Sequence, residues 1–296
     1  MRSILVVSDL TPGSEAALRA GGRIAEAGGG ALHVFHGAGL IGLTLREALP
    51  RLAPGAAEAL AGTLEEQLRA AAPEHAPAAS RHVDPRTAED GVLARARQVG
   101  ATLIVLPAGI SSAARIVARA LAASTPVLVA GEGGGAPFER VLVPLGSDEI
   151  TSRTLRSACE WLHPLEVSSS GTLAEVHVLH VCRTLRDWRS IGERFEAEVS
   201  ATESEVRRME GVFHRHVRWA GIRWPEIVLA ARELGTELIV LRPRHPAAEG
   251  EERTWRSVVD HARCSVLLLP PGAGPDAPRT IARARPRDAL PELVPA

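Results

Sequence analysis

Few residues in this chain have a type and spacing that could do chemistry. Asp9 stands two residues beyond the apolar run ILVV at 4–7 and is followed by LTPGSE. If that run is a parallel strand, Asp9 lies at its carboxyl end, where ligands of open α/β sheets usually bind. His33 and His36 recur as His177 and His180, an HxxH pattern that suggests metal. On a strand, however, residues three apart point to opposite faces and cannot share one ion, so these are read as structural histidines. His214 and His216 are two apart and would share a face. Two imidazoles with no third histidine or nearby carboxylate make a weak site, so no metal is expected and the pair is read as part of a solvated edge strand. Arg242, Arg244 and His245 could hold an anion, although Glu249, Glu251 and Glu252 close by favour a solvated loop. Ser8 and Ser14 lie in no G-x-S-x-G elbow and have no base placed by sequence to activate them. No catalytic constellation emerges.

The three cysteines, Cys159, Cys182 and Cys264, form no CxxC pair. They signal neither a disulfide framework nor a thiolate zinc site and are expected to be reduced. Net charge is −1 at a pI of about 6.8, so no overall field attracts nucleic acid or an anionic membrane. The first residues, MRSILVVSDL, lack the pattern of a signal peptide, and no segment reaches ~18 continuous apolar residues. A cytoplasmic chain is expected. Arg283, Arg285 and Arg287 stand among prolines and acids, in what reads as a solubilising tail.

The elements that must position these residues are written twice. RARQVGATLIVL at 95–106 returns as AARELGTELIVL at 230–241. Around it, ILVVSDLTPGSEAAL at 4–18 faces VLVPLGSDEITSRTL at 141–155, and LHVFH at 32–36 faces VHVLHV at 176–181. RHV at 81–83 returns at 215–217, and PVLVA at 126–130 faces SVLLL at 265–269. A period this long marks a duplicated domain rather than a solenoid, and 296 residues suffice for two cores. The short unbroken apolar runs read as strands covered on both faces. Helical patterns lie between them: 14–28, 87–100 ending at Gly100, and its twin ending at Gly235. A long helix through Leu185, Trp188, Ile191, Phe195, Val199, Val206 and Met209 is expected, and a counterpart at 43–72 kinked or split at Pro50 and Pro54. Each half is then a βαβαβαβαβ chain, hence a five-stranded doubly wound sheet. The expected division is 1–130, a glycine-rich linker at 131–137, 138–270, and a disordered tail at 271–296.

The strand-turn-helix ILVVSDLTPGSEAALRAG, the His-bearing second strand and the closing HARCSVLLLP resemble the universal stress protein family in its tandem two-domain form. The resemblance implies two Rossmann-like domains with strand order 3-2-1-4-5, joined through their fifth strands at 126–130 and 265–269 as an intramolecular pseudo-dimer. One branch of that family binds ATP through an Asp after the first strand and a loop G-x2-G-x9-G-[ST] after the fourth, whose bare backbone can close around phosphates. Asp9 matches the Asp. The first fourth-strand loop, PAGISSAARIVARAL, carries Gly109 alone and has no room for the nine-residue spacer. In the second half Gly146 replaces the Asp, with Asp148 two residues on, and Glu252 and Arg253 stand where Gly-Ser belongs. Asp9 and Gly109 therefore mark a vestigial nucleotide site. The expectation is a non-enzymatic stress-response or regulatory module, without a required cofactor, acting through a protein partner or as a homo-oligomer. The alternatives are an ATP- or AMP-binding switch in the first half, or a slow ATP hydrolase.

Overall fold

The computed structural model describes residues 3–37, 56–74, 77–84, 89–110, 112–131, 138–145, 158, 175–182, 184–208, 212–243 and 249–271. In the first half, β1 (Ser3–Val7), β2 (Ala31–Gly37), β3 (Ser80–Asp84), β4 (Leu103–Pro107) and β5 (Val127–Ala130) alternate with α1 (Ser14–Ala27), α2 (Ala56–Ala71), α3 (Glu89–Gln98) and α4 (Ala113–Ala122). The second half supplies β6 (Arg140–Leu145), β7 (Glu175–Cys182), α5 (Leu185–Arg208), β8 (Val212–Trp219), α6 (Arg223–Glu233), β9 (Leu238–Leu241), α7 (Glu249–His261) and β10 (Ser265–Leu268).

The strands form one ten-stranded sheet, ordered β3-β2-β1-β4-β5-β10-β9-β6-β7-β8. Within each half every pairing is parallel, in the order 3-2-1-4-5. The halves meet where β5 runs antiparallel to β10, with Leu128 opposite Leu267. This is the fifth-strand pairing that the family resemblance implies.

Successive residues of the apolar runs serve both faces. Ile4 and Val6 pack with Leu18 and Ile24 of α1 and with Leu64 and Leu68 of α2. Leu5 and Val7 pack with Val92 of α3 and with Ile116 and Val117 of α4. Phe195 and Val199 of α5 join the first face, while Ile227 of α6 and Trp255 and Val258 of α7 join the second. Because water is excluded from both sides, the strands need no alternation, which is why ILVV, LIVL and VLVA read as unbroken apolar runs. At roughly 1.5–3 kcal/mol for each large side chain fully buried, these two layers supply the principal drive for folding.

The glycine stops stand where expected: Gly100 and Gly235 have φ of +61° and +60°, the left-handed geometry that ends a helix and favours glycine. Gly131, just past β5, has a different reason. A Cβ there would lie 2.4 Å from the Arg263 carbonyl oxygen, so only glycine lets the backbones meet at the seam. The long helix is present as α5, but Leu185 at its start is 55 % exposed rather than part of the buried face. It occupies the first turn, ahead of the point where α5 settles on the sheet through Trp188 and Phe195. Pro50 and Pro54, residues 132–137 of the linker, and the tail beyond residue 271 lie outside the described residues. So do Cys159, Arg244 and His245.

Candidate functional site

The carboxyl end of β1 is built by short-range hydrogen bonds. Asp9 Oδ1 accepts from the Thr11 backbone N–H at 3.0 Å, from the Thr11 hydroxyl at 2.6 Å and from the Ser14 hydroxyl at 2.6 Å. The Asp9 N–H donates in turn to Ser14 Oγ, and Leu10 N–H to Ser8 Oγ. This web holds Leu10 at φ +62°, a conformation that ordinary side chains avoid. Asp9 therefore organises the turn that launches α1. Its partners are those of an Asx turn.

Two longer contacts fasten the turn to the fold. Ser8 Oγ donates to Gln67 Oε1 of α2 at 2.7 Å, and Gln67 Nε2 donates to the Thr11 carbonyl at 2.6 Å. His36, at the same end of β2, places Nδ1 2.8 Å from the Ser8 carbonyl. Burial holds the His36 pKa below the ordinary imidazole value, partly opposed by the Ser8 carbonyl and by the charge of Asp9. Neutral His36 with a proton on Nδ1 satisfies this carbonyl. Neither Gln67 nor its role was legible in the sequence, because it acts across 59 positions of chain.

The fold brings the second candidate, Gly109, to the same edge. A Cβ on Gly13 would lie 3.9 Å from the Ala108 carbonyl, so the loop after β4 borders the Asp9 turn. Gly109 has φ +80° and open space around it. Yet β4 ends at Pro107 and α4 begins at Ala113, so only residues 108–112 separate them. A loop this short has no length for the nine-residue spacer. In the second half Glu252 and Arg253 lie within α7, and Glu252 meets Arg256 at 3.1 Å one helical turn on. Gly146 and Asp148 fall outside the described residues.

The histidines divide as their spacing requires. His36 and His180 are fully buried on one face, His180 against Trp188 and Phe195. His33 and His177 point to the other. His33 stacks on His82 of β3, and burial, followed by the Arg95 charge, lowers the pKa of both. The reading of His214 and His216 needs correction in its premise. β7 and β8 pair with His177 opposite His214, so a third imidazole and the Glu175 carboxylate stand beside them. Sequence spacing hid this because the neighbours come from strands separated by all of α5. The edge strand is nonetheless charged as expected: Arg215 binds Glu196 and Glu203 on the α5 side, and Arg218 binds Glu226 and Glu233 of α6. Among the described residues Cys182 and Cys264 form no disulfide, and burial pushes the Cys264 thiol up to about 11.

A family model described as the universal stress protein family matches residues 1–129 and again 137–270. The chain belongs to the universal stress protein family. Among solved structures, a universal stress protein from Archaeoglobus fulgidus DSM 4304 is 16 % identical with a TM-score of 0.62, over 91 % of this chain and 98 % of that one. A functionally unknown protein from Pseudomonas aeruginosa PAO1 is 17 % identical with a TM-score of 0.59, over 92 % and 93 %. These likenesses extend the tandem fold across nearly the full length. No curated protein sequence matches the chain. Among the described residues, no helix of this tandem universal stress protein is long and apolar enough to cross a membrane.

Proposed function

We propose that this tandem universal stress protein is a non-enzymatic regulatory module that acts through protein contacts, with a nucleotide site reduced to a remnant in its first half. The observation that carries the reading is the five-residue connection, 108–112, between β4 and α4. It leaves no room for the long glycine-rich loop whose backbone N–H groups would close around the phosphates. Asp9 supports the same reading, since its Oδ1 already accepts three hydrogen bonds from its own turn. Protein contacts are supported by the second half: the large apolar side chains exposed among the described residues, Leu185, Val212, Val217, Trp219, Ile222 and Leu229, all lie there. Three of them are on the edge strand β8. Such residues would serve an unidentified partner or a second copy of the chain, in the cytoplasm.

The second reading is an ATP- or AMP-dependent switch in the first half, with slow hydrolysis as its extreme form. Its support is the adjacency of the Asp9 turn and the Gly109 loop at the carboxyl edge of the sheet, the usual ligand crevice of such folds. Calorimetric titration of the nucleotide-stripped full chain with ATP and magnesium separates the two. The module reading expects no binding up to about millimolar ATP, an affinity of only ~4 kcal/mol. Saturable binding that disappears in Asp9→Ala would establish the switch instead, and phosphate release would then decide between switch and hydrolase.

A further inference from the structure

We propose that Glu175, His177 and His214 form a site for a divalent transition-metal cation of the zinc class at the outer edge of the second domain. The three residues lie at the amino-terminal ends of β7 and β8, away from the carboxyl-end crevice. One donor atom from each falls within 4.8 Å of the others. His214 Nε2 is 2.7 Å and His177 Nε2 3.4 Å from the same carboxylate oxygen of Glu175. Two imidazoles and a carboxylate, with room left for water, match the chemistry of zinc and its neighbours, whereas magnesium and calcium prefer all-oxygen shells.

Three further observations point to a ligand. First, His177 is buried, and its Nε2 has no hydrogen-bond partner among the described residues. Second, the other nitrogen of the same ring is already held: His177 Nδ1 lies 3.0 Å from His216 Nε2. A proton on Nδ1 donated to His216 leaves the Nε2 lone pair directed at the site, as metal-bound histidines are held by outer partners. His216 is thus a positioning residue. Third, the first domain provides a built-in comparison. His33 Nδ1 and His82 Nε2 repeat the inner pair at 3.5 Å. The strand registers put Ala31 where Glu175 stands and Ser80 where His214 stands. The second domain has therefore added two donors to a pair that folds without them.

The donors must adjust, because a tetrahedral shell with bonds of ~2.0–2.1 Å spaces its ligands ~3.3 Å apart: His214 Nε2 and the Glu175 oxygen, now 2.7 Å apart, separate slightly, and His214 and His177 draw together. His177 and His214 are stacked with ring centroids 4.8 Å apart. The His214 and Glu175 side chains are 42 % and 37 % exposed, so they can rotate towards the fixed His177. The Arg140 charge acts on His177 and opposes a cation, while Glu175 offsets it.

The test is titration of the tag-free, chelator-stripped full chain with Zn2+ by calorimetry and with Co2+ by visible absorption. The expected result is one ion per chain, with cobalt bands characteristic of bound imidazole. Glu175→Ala combined with His214→Ser, the residues present in the first domain, should weaken binding at least about a hundredfold while the metal-free melting temperature stays near that of the parent. His216→Ala should weaken it ~10–100-fold, and His216→Gln, which keeps an acceptor for the Nδ1 proton, should restore most of the loss. The inference is overturned if the parent binds no stoichiometric ion. It is equally overturned if the double variant binds as tightly as the parent.

Discussion

Replacing Asp9 separates its structural role from any role in binding. Asp9→Ala removes the acceptor for Thr11 N–H, Thr11 Oγ and Ser14 Oγ. Each such bond contributes about 0.5–1.5 kcal/mol net, and the two made by Thr11 are exposed, so the loss should total about 2 kcal/mol. Leu10, held at φ +62° by the same web, would then relax. For a chain of this size 1 kcal/mol corresponds to roughly 2–4 °C, so Asp9→Ala should lower the melting temperature by about 4–8 °C. Asp9→Asn keeps an amide oxygen whose two lone pairs can accept two of the three bonds, and should cost about 1 kcal/mol, less than the Ala variant. Differential scanning calorimetry of both variants is the assay. An Ala variant that melts with the parent, or an Asn variant as weak as Ala, would refute the claim that the carboxylate organises the turn.

Three other expectations follow from the packing. His33, His36 and His82 each have a folded pKa below the unfolded value, so the fold favours their neutral forms and stability is complete above pH ~6.5. Below that pH the unfolded chain takes up protons first, and stability should fall by at most about 1.4 kcal/mol per pH unit for each group, with a shallower melting-temperature slope in His36→Gln. Gly131→Ala forces a Cβ against the backbone at Arg263 and Cys264 and should cost about 1–3 kcal/mol by urea unfolding, unless the seam shifts. Residues 1–130 made alone would expose β5 and should sediment as a dimer or unfold more readily than the full chain. A stable monomer would count against the seam.

Much of the fold was legible because duplication and two-sided burial both leave marks in sequence. LIVL appears twice after a glycine stop, and each copy becomes a fourth strand with both faces covered. The Asp9 position was legible for the same reason, as the end of such a strand. The clamp on its turn was not: Gln67 reaches Ser8 and Thr11 from α2, and no local pattern marks a glutamine on a helix as a turn clamp. The histidine cluster was half legible. Glu175 and His177 are two apart on one strand, as are His214 and His216 on the next, so each pair shares a face. What the sequence withheld was the register that sets His177 against His214.

The β5–β10 seam is only a few residues long, with three paired positions from Val127–Leu268 to Val129–Val266. Between two separate chains so small a junction would form or dissolve with protein abundance. Here both strands belong to one polypeptide, and a short connection keeps the local concentration of one for the other on the order of millimolar however dilute the protein becomes. The ten-stranded sheet is therefore insensitive to expression level: a change in copy number alters how many assembled molecules are present, not the fraction assembled.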